Sequence, residues 1–323
     1  MILIFEWLVG KNQEVKNNQK IGRKKESIFT FSDSYKNSIL LERKDLLLPG
    51  KDNWLFLKLY GCSKRKRELI VLLYEKLESM SSLLQKYFFI YYADPEPHIR
   101  LRIRFNDGIF PEFFINIIAW LESLRINGLI AKITIDSYQR ETERYGGSEL
   151  IEIAEDYFYH NSRLAMQIIS SLRYEKSQIN LDVIGVSFII SVLEAFKLID
   201  EDKEKFLYSL ADKNAYRKQF QDNRKELMKA VDNTNNWHNI SLIEPYSEIY
   251  PFLDKTAVKL RDYANAVYNY DKKGKLTNSI QDIIQSIIHM FCNRLVSDNS
   301  WERKIYALTR HAFYAFRSYI KNQ

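Results

Sequence analysis

From Trp54 onward, apolar and polar positions fall into two distinct periods. WLFLKLYG at 54–61 reads as a strand, the following RKRELIVLLYEKLESMSSLLQKY as an amphipathic helix, and FFIYYA at 88–93 as an apolar strand. Asp94-Pro95-Glu96-Pro97 forces a turn. His98 to Phe105 then alternates strictly, FPEFFINIIAWLESLRI is a second helix, and LIAKITIDSY a fourth strand. The order βαββαβ predicts a ferredoxin-like, split βαβ layer over residues 50–147. After Gly146-Gly147 the period changes to that of helices, at 148–172, 181–199, 203–211, 214–231, 246–269, 277–295 and 300–320. The predicted class is therefore α+β, with an N-terminal ferredoxin-like layer followed by a mostly helical half at 148–323. The Asn-rich DNTNNWHN at 232–239 is the clearest interior loop, and residues 1–49 form an N-terminal extension ending at Pro49-Gly50.

Composition agrees with this pattern. Ten glycines and six prolines in 323 residues leave little turn punctuation, which favours long helices. A hydrophobic share of 46% with 28% charged residues excludes a disordered chain. The opening MILIFEWLVG is too short for a membrane span and lacks a basic flank, so the expected location is the cytoplasm. Net charge is +7, and its densest run, Lys64 to Arg67, reads as the solvated start of a helix. Direct nucleic-acid binding is not expected. Cys62 and Cys292 stand alone without a C-x-x-C pair or histidine cluster, so neither disulfide framework nor metal site is indicated.

Three stretches could carry chemistry. In HIRLRIRF, strand periodicity places Arg100, Arg102 and Arg104 on one face, a row of planar forks suited to carboxylate or phosphate. An ordinary half-solvated strand would look the same. In YQRETERYGG at 138–147, Glu141 and Arg144 are three apart and can pair on a helical turn, beside two glycines. A charged connector is the plain alternative. In DIIQSIIHMFCNRL, Gln285, His289 and Asn293 draw one polar stripe along a largely apolar helix, where His289 is either a satisfied core histidine or a general acid or base.

Together and in this order, these stretches resemble the C-terminal glutamate-elimination domain of class I lantibiotic (LanB-type) dehydratases, also called the thiopeptide-type bacteriocin biosynthesis or SpaB C-terminal family. The pieces are WLFLKLYG at 54–61, FFIYYADPEPHIRLRIRF at 88–105, YQRETERYGG at 138–147 and HMFCNRL at 289–295 followed by Glu302. Gln139 and Asn161 depart from the family, where Asp is usual. The resemblance covers 50–323 and implies an enzyme, a carbon–oxygen lyase acting as a stand-alone split subunit. Its reaction would expel glutamate from glutamylated Ser or Thr of a precursor peptide, forming dehydroalanine or dehydrobutyrine. It implies catalytic roles for His289, Arg102, Arg144 and Glu141, substrate contacts from Arg100, Arg104, Tyr145 and Asn293, no cofactor and no metal. The implied partners are the glutamylated leader–core peptide and a glutamyl-tRNA-dependent glutamylating subunit; monomer and homodimer both stay open. Two other readings share the sequence features: a thiopeptide pyridine synthase joining two dehydroalanines by a formal [4+2] cycloaddition, and a non-catalytic peptide-binding subunit.

Overall fold

The computed structural model describes residues 45–61, 64–173, 179–233, 237–242 and 244–322. Residues 1–44 of the expected extension, Cys62, and residues 234–236 of the Asn-rich loop lie outside these. The chain is α+β. Strands β1 (Leu46–Leu47), β2 (Trp54–Tyr60), β3 (Leu84–Tyr92), β4 (His98–Phe105), β5 (Lys132–Asp136) and β6 (Tyr138–Gln139) accompany helices α1 (Lys66–Ser79) and α2 (Phe110–Ile126). Four strands form an antiparallel sheet in the order β3-β4-β2-β5, so β4 lies between the two strands that α1 connects.

The observed elements differ from the expected ones in places with local causes. The first helix stops at Ser79, and β3 starts at Leu84 rather than 88, because Leu84 and Lys86–Tyr92 have cross-strand partners along β4. The fourth strand is interrupted at Ser137. Its second piece, β6, leaves β2 to pair with β1, so the last residues of the 1–49 segment meet the start of the site. The predicted 214–231 helix is cut at Asn223 into two, and the end of the Asn-rich loop is a short helix at 238–241.

On the leucine face of the sheet, Leu55, Leu57, Ile99, Leu101 and Ile103 are fully buried. Helices α1 and α2 cover that face: Tyr87 donates to Glu78 of α1 at 2.6 Å, and Phe105 stacks on Phe113 of α2 at 5.8 Å. The arginine face shares its rows with Trp54, Phe56 and Phe88.

The remaining helices are α3 (Ile151–Ser171), α4 (Leu181–Ala195), α5 (Asp200–Leu210), α6 (Arg217–Asp222), α7 (Arg224–Val231), α8 (His238–Ser241), α9 (Tyr250–Lys272), α10 (Ile280–Leu295) and α11 (Asn299–Lys321). Helix α4 is apolar nearly all round and is packed by α7, α9, α10 and α11. A Cβ on its Gly185 would meet Ile305 at 2.9 Å, so α4 and α11 approach as only glycine permits.

Edge strand β3 is where the two halves join. An edge normally leaves backbone groups open. Here Asn293 of α10 acts as a substitute strand: its Oδ1 accepts from Tyr91 N at 2.9 Å and its Nδ2 donates to Tyr91 O at 3.0 Å. Arg294 Nε donates to Phe89 O at 2.9 Å, and Phe89 N donates to Ser162 Oγ of α3 at 3.3 Å. One hydrophobic cluster runs through sheet and helices alike.

Candidate functional site

Side chains of the arginine face meet different fates, because the helical half covers only part of it. Arg104 donates to Glu152 at 2.9 Å, in a network where Arg140 also pairs with Glu152 and Glu155 and Lys86 with Glu152 and Asp156. Arg102 is 6% exposed and enclosed by the rings of Phe56, Tyr138 and Phe88. Arg100 lies over the Tyr92 ring at 3.3 Å, and its Nε donates to His98 Nε2 at 3.2 Å. The expected single cradle of three guanidiniums is thus three separate environments, since packing decides each one's partner.

The loop after β6 carries the second stretch. Glu141 and Arg144 pair at 3.1 Å, as their spacing suggested, and Arg144 Nε also donates to Ser286 Oγ of α10 at 3.1 Å. The loop is fastened from the other side: Thr277 Oγ1 donates to Glu143 O and Asn278 Nδ2 to Arg144 O. Gly146 turns the chain at φ 95°, where a Cβ would meet Leu150 at 2.8 Å and Leu276 at 2.9 Å.

Helix α10 supplies the third stretch. Ser279 caps it, accepting from Asp282 N at 3.0 Å. His289 is 39% exposed at its side chain, not a core residue, and its Nδ1 lies 2.8 Å from Glu302 Oε2. Glu302 stands in the first turn of α11, whose cap is Asp298.

Three cavities meet around these residues. The largest, about 730 Å³, is lined by Lys66, Tyr92, His98, His289, Asn293 and Glu302 among others. A second of about 420 Å³ has Arg144, Ser286, His289, Glu302 and Arg303 on its wall. The third, about 30 Å³, is lined by Arg102, Glu141, Tyr145 and Arg294 among aromatic and aliphatic side chains. The His289–Glu302 pair belongs to both larger cavities, and the Arg144–Glu141 pair connects the second to the third. Tertiary structure therefore gathers His289, Arg144, Glu141, Arg102 and Tyr145. Arg100 lies beside the largest cavity through His98 and Tyr92, whereas Arg104 faces the Glu152 network. Asn293 reaches the largest cavity while its amide is committed to β3.

Burial sets the electrostatics. It lowers the Arg102 guanidinium from its ordinary value and brings Arg294 down to about 10. It holds His98 below the usual histidine range and pushes the Tyr145 phenol up to about 12. An imidazole hydrogen-bonded to a carboxylate, with guanidiniums nearby, is equipped to take a proton and to stabilise negative charge that develops alongside. Among the described residues, no three His, Cys, Asp or Glu side chains converge as metal ligands. Nor is any helix there long and apolar enough to cross a membrane.

Lys66, His98, Arg294 and Arg303 line these cavities without having been marked in the sequence. Lys66 is not a solvated charge: its Nζ lies 4.9 Å over the Tyr91 ring and donates to Val296 O at 3.3 Å. For Arg294 a signal exists in one dimension, since it sits eleven residues after Ile283, on the apolar stripe of its helix.

Residues 54–313 match the family described as lantibiotic biosynthesis dehydratase, C-terminal. The subtilin biosynthesis protein SpaB of Bacillus subtilis is 34% identical over 288 residues, 87% of this chain and 27% of SpaB. The nisin biosynthesis protein NisB of Lactococcus lactis subsp. lactis is 24% identical over 286 residues, 88% of this chain and 27% of NisB. The chain thus spans about a quarter of the length of these relatives. Two solved structures share the fold. The tRNA-dependent lantibiotic dehydratase MibB from Microbispora sp. 107891 aligns with TM-score 0.69 at 21% identity, over 84% of this chain and 28% of MibB. The pyridine synthase TbtD from thiomuracin biosynthesis aligns with TM-score 0.58 at 10% identity, over 83% of this chain and 99% of TbtD.

Proposed function

The chain belongs to the lantibiotic dehydratase C-terminal family, and from that premise we propose that it eliminates glutamate from glutamylated Ser and Thr residues of a ribosomally made precursor peptide. The observation that carries the reading is the 2.8 Å contact between His289 Nδ1 and Glu302 at the meeting of two cavities, with Arg144 on the wall of one of them. With Nδ1–H donated to Glu302, Nε2 is the basic nitrogen.

His289 Nε2 takes the α-proton of the esterified residue. The electron pair of the Cα–H bond forms the Cα=Cβ double bond, the Cβ–O bond breaks, and its electrons leave with glutamate as a carboxylate. The imidazolium, stabilised by Glu302, returns its proton to solvent. Arg144, Arg102 and Arg100 serve the negative charge that builds on the adjacent amide oxygen and on the departing carboxylate. Glu141 holds Arg144 or receives the glutamyl ammonium. Tyr145 and Asn293 border the substrate. Arg104, bound to Glu152, supports the sheet beside it.

The ester itself would come from a glutamyl-tRNA-dependent glutamylating activity, and the proposed location of the reaction is the cytoplasm. The test is mass spectrometry of a Ser/Thr-glutamylated precursor peptide incubated with the protein in the absence of ATP and tRNA, beside Arg102→Ala. Loss of one glutamic acid per site, absent in the variant, is the expected result. An unchanged peptide, with ring formation when a bis-dehydroalanine peptide is supplied, would replace elimination by cycloaddition.

A further inference from the structure

His98, at the head of β4, is 3% exposed and stands on the wall of the largest cavity. Its ring is flanked by Tyr60 of β2 at 4.6 Å and by Tyr92 of β3 at 5.5 Å between centroids. Both of its nitrogens are committed. A guanidinium Nε can only donate, so the 3.2 Å contact from Arg100 Nε makes His98 Nε2 the acceptor. The proton of the neutral ring is then on Nδ1, which donates to Glu96 O at 2.7 Å. Arg100 has no carboxylate partner among the described residues, and it is held by His98 and by the Tyr92 ring, 3.3 Å from its Cζ. Strand register sets Arg100 opposite Ile90; Ile90 and Arg102 line the smallest cavity, so Arg100 stands between that cavity and the largest one.

We propose that neutral His98 is a positioning residue of this site: its bare Nε2 fixes the Arg100 guanidinium over Tyr92 in the orientation that serves the substrate, and protonation of His98 releases it. The role rests on the elimination reading. Protonation reverses the contact, because an imidazolium Nε2–H faces the Arg100 Nε–H, donor against donor and cation against cation. Burial holds the imidazole below the usual histidine range; the Glu96 carbonyl opposes this, Arg100 and Lys58 of β2 add to it, and Asp94 of the preceding turn opposes it. Lys132 of β5 lies 5.1 Å from the Tyr60 ring, and Lys66, His289, Asp298 and Glu302 line the same cavity as His98. A histidine held below about 6.5 is neutral at pH 7.5, so Arg100 is held there and let go on acidification.

Single-turnover elimination from a Ser/Thr-glutamylated precursor peptide, followed by mass spectrometry with the full chain, separates the two nitrogens. His98→Gln puts its amide at the place of Nε2 and can still accept from Arg100, whereas His98→Asn reaches only the place of Nδ1 and can still meet Glu96 O. His98→Asn should slow elimination at pH 7.5 by about 10- to 100-fold, and His98→Gln should restore most of the rate. His98→Phe keeps a ring between the two tyrosines; it should be as slow as His98→Asn and serves if that variant does not fold. The double variant His98→Asn/Arg100→Ala should be no slower than Arg100→Ala alone. Below about pH 6, the logarithm of the wild-type rate should fall with a limiting slope of about 2, for His289 and His98 together, and that of His98→Gln with a slope of about 1. A wild-type rate in folded His98→Asn and His98→Phe, or equal slopes, overturns the positioning role and leaves elimination intact. The ring itself is read in the free protein by nitrogen-15 NMR, with the His98 signals assigned by their loss in His98→Gln: at pH 7.5 it should be neutral with its proton on Nδ1. A charged or Nε2-protonated His98 overturns the contact with Arg100 whatever the turnover. No turnover by wild type removes the elimination reading, and this role with it.

Discussion

Glu302→Gln tests the imidazole–carboxylate pair most directly. Glutamine keeps an oxygen that can accept from His289 Nδ1 and removes the negative charge that would stabilise the imidazolium. At the observed 2.8 Å, Coulomb's law gives about 6 kcal/mol at an effective dielectric of 20 and about 1.5 kcal/mol in water. His289 is 39% exposed, so solvent screening favours the lower part of this range, about 1.5 to 3 kcal/mol. At about 1.4 kcal/mol per decade, the single-turnover elimination rate should fall about 10- to 100-fold. Loss of the base itself in His289→Ala should cost about 10² to 10⁴. Because Glu302 acts through His289, the double variant should be no slower than His289→Ala alone. Quenched-flow mass spectrometry of glutamylated peptide supplies the rates. A wild-type rate in Glu302→Gln, or a double variant slowed by the product of both factors, would refute the dyad.

Stability should fall on acidification. Burial holds the imidazoles of His98 and His160 below the histidine range, so below pH about 6.5 the unfolded chain binds protons that the folded one refuses. Their contribution is complete above that pH and is lost as pH drops toward the folded values. Urea midpoints at pH 7.5, 6.5 and 5.5 should decrease in wild type and decrease less in His98→Gln/His160→Gln; equal slopes would disprove the assignment. Asn293→Ala removes both hydrogen bonds that its amide makes with Tyr91 N and O and should lower unfolding free energy by about 1 to 3 kcal/mol, measured by urea denaturation. Gly146→Ala meets both a positive φ and two leucine side chains, and should cost at least ~1 kcal/mol and reduce elimination by displacing Arg144; an unchanged thermal midpoint and rate would contradict that.

What the sequence determined by itself is what depends on neighbours in the chain. Alternation in His98–Phe105 fixed which side chains share a face, and helical period placed most helices within a few residues of their observed ends. The spacing of Glu141 and Arg144 foretold their ion pair, because three residues span one helical turn. Family resemblance named the site residues from short stretches far apart in the chain. Their convergence was beyond any local period. His289 meets Glu302 across two helices, and Arg144 reaches Ser286 over 142 positions. Whether an arginine of β4 becomes a buried charge, a stacked cation or an ion pair depends on which helix covers that part of the sheet. Periodicity assigns a face; it cannot say what lies against it. Likewise Asn293 and Arg294 sit next to each other, yet only the docking of α10 along the edge of β3 turns one into a substitute strand and brings the other, with Arg102, to a cavity neither could form alone.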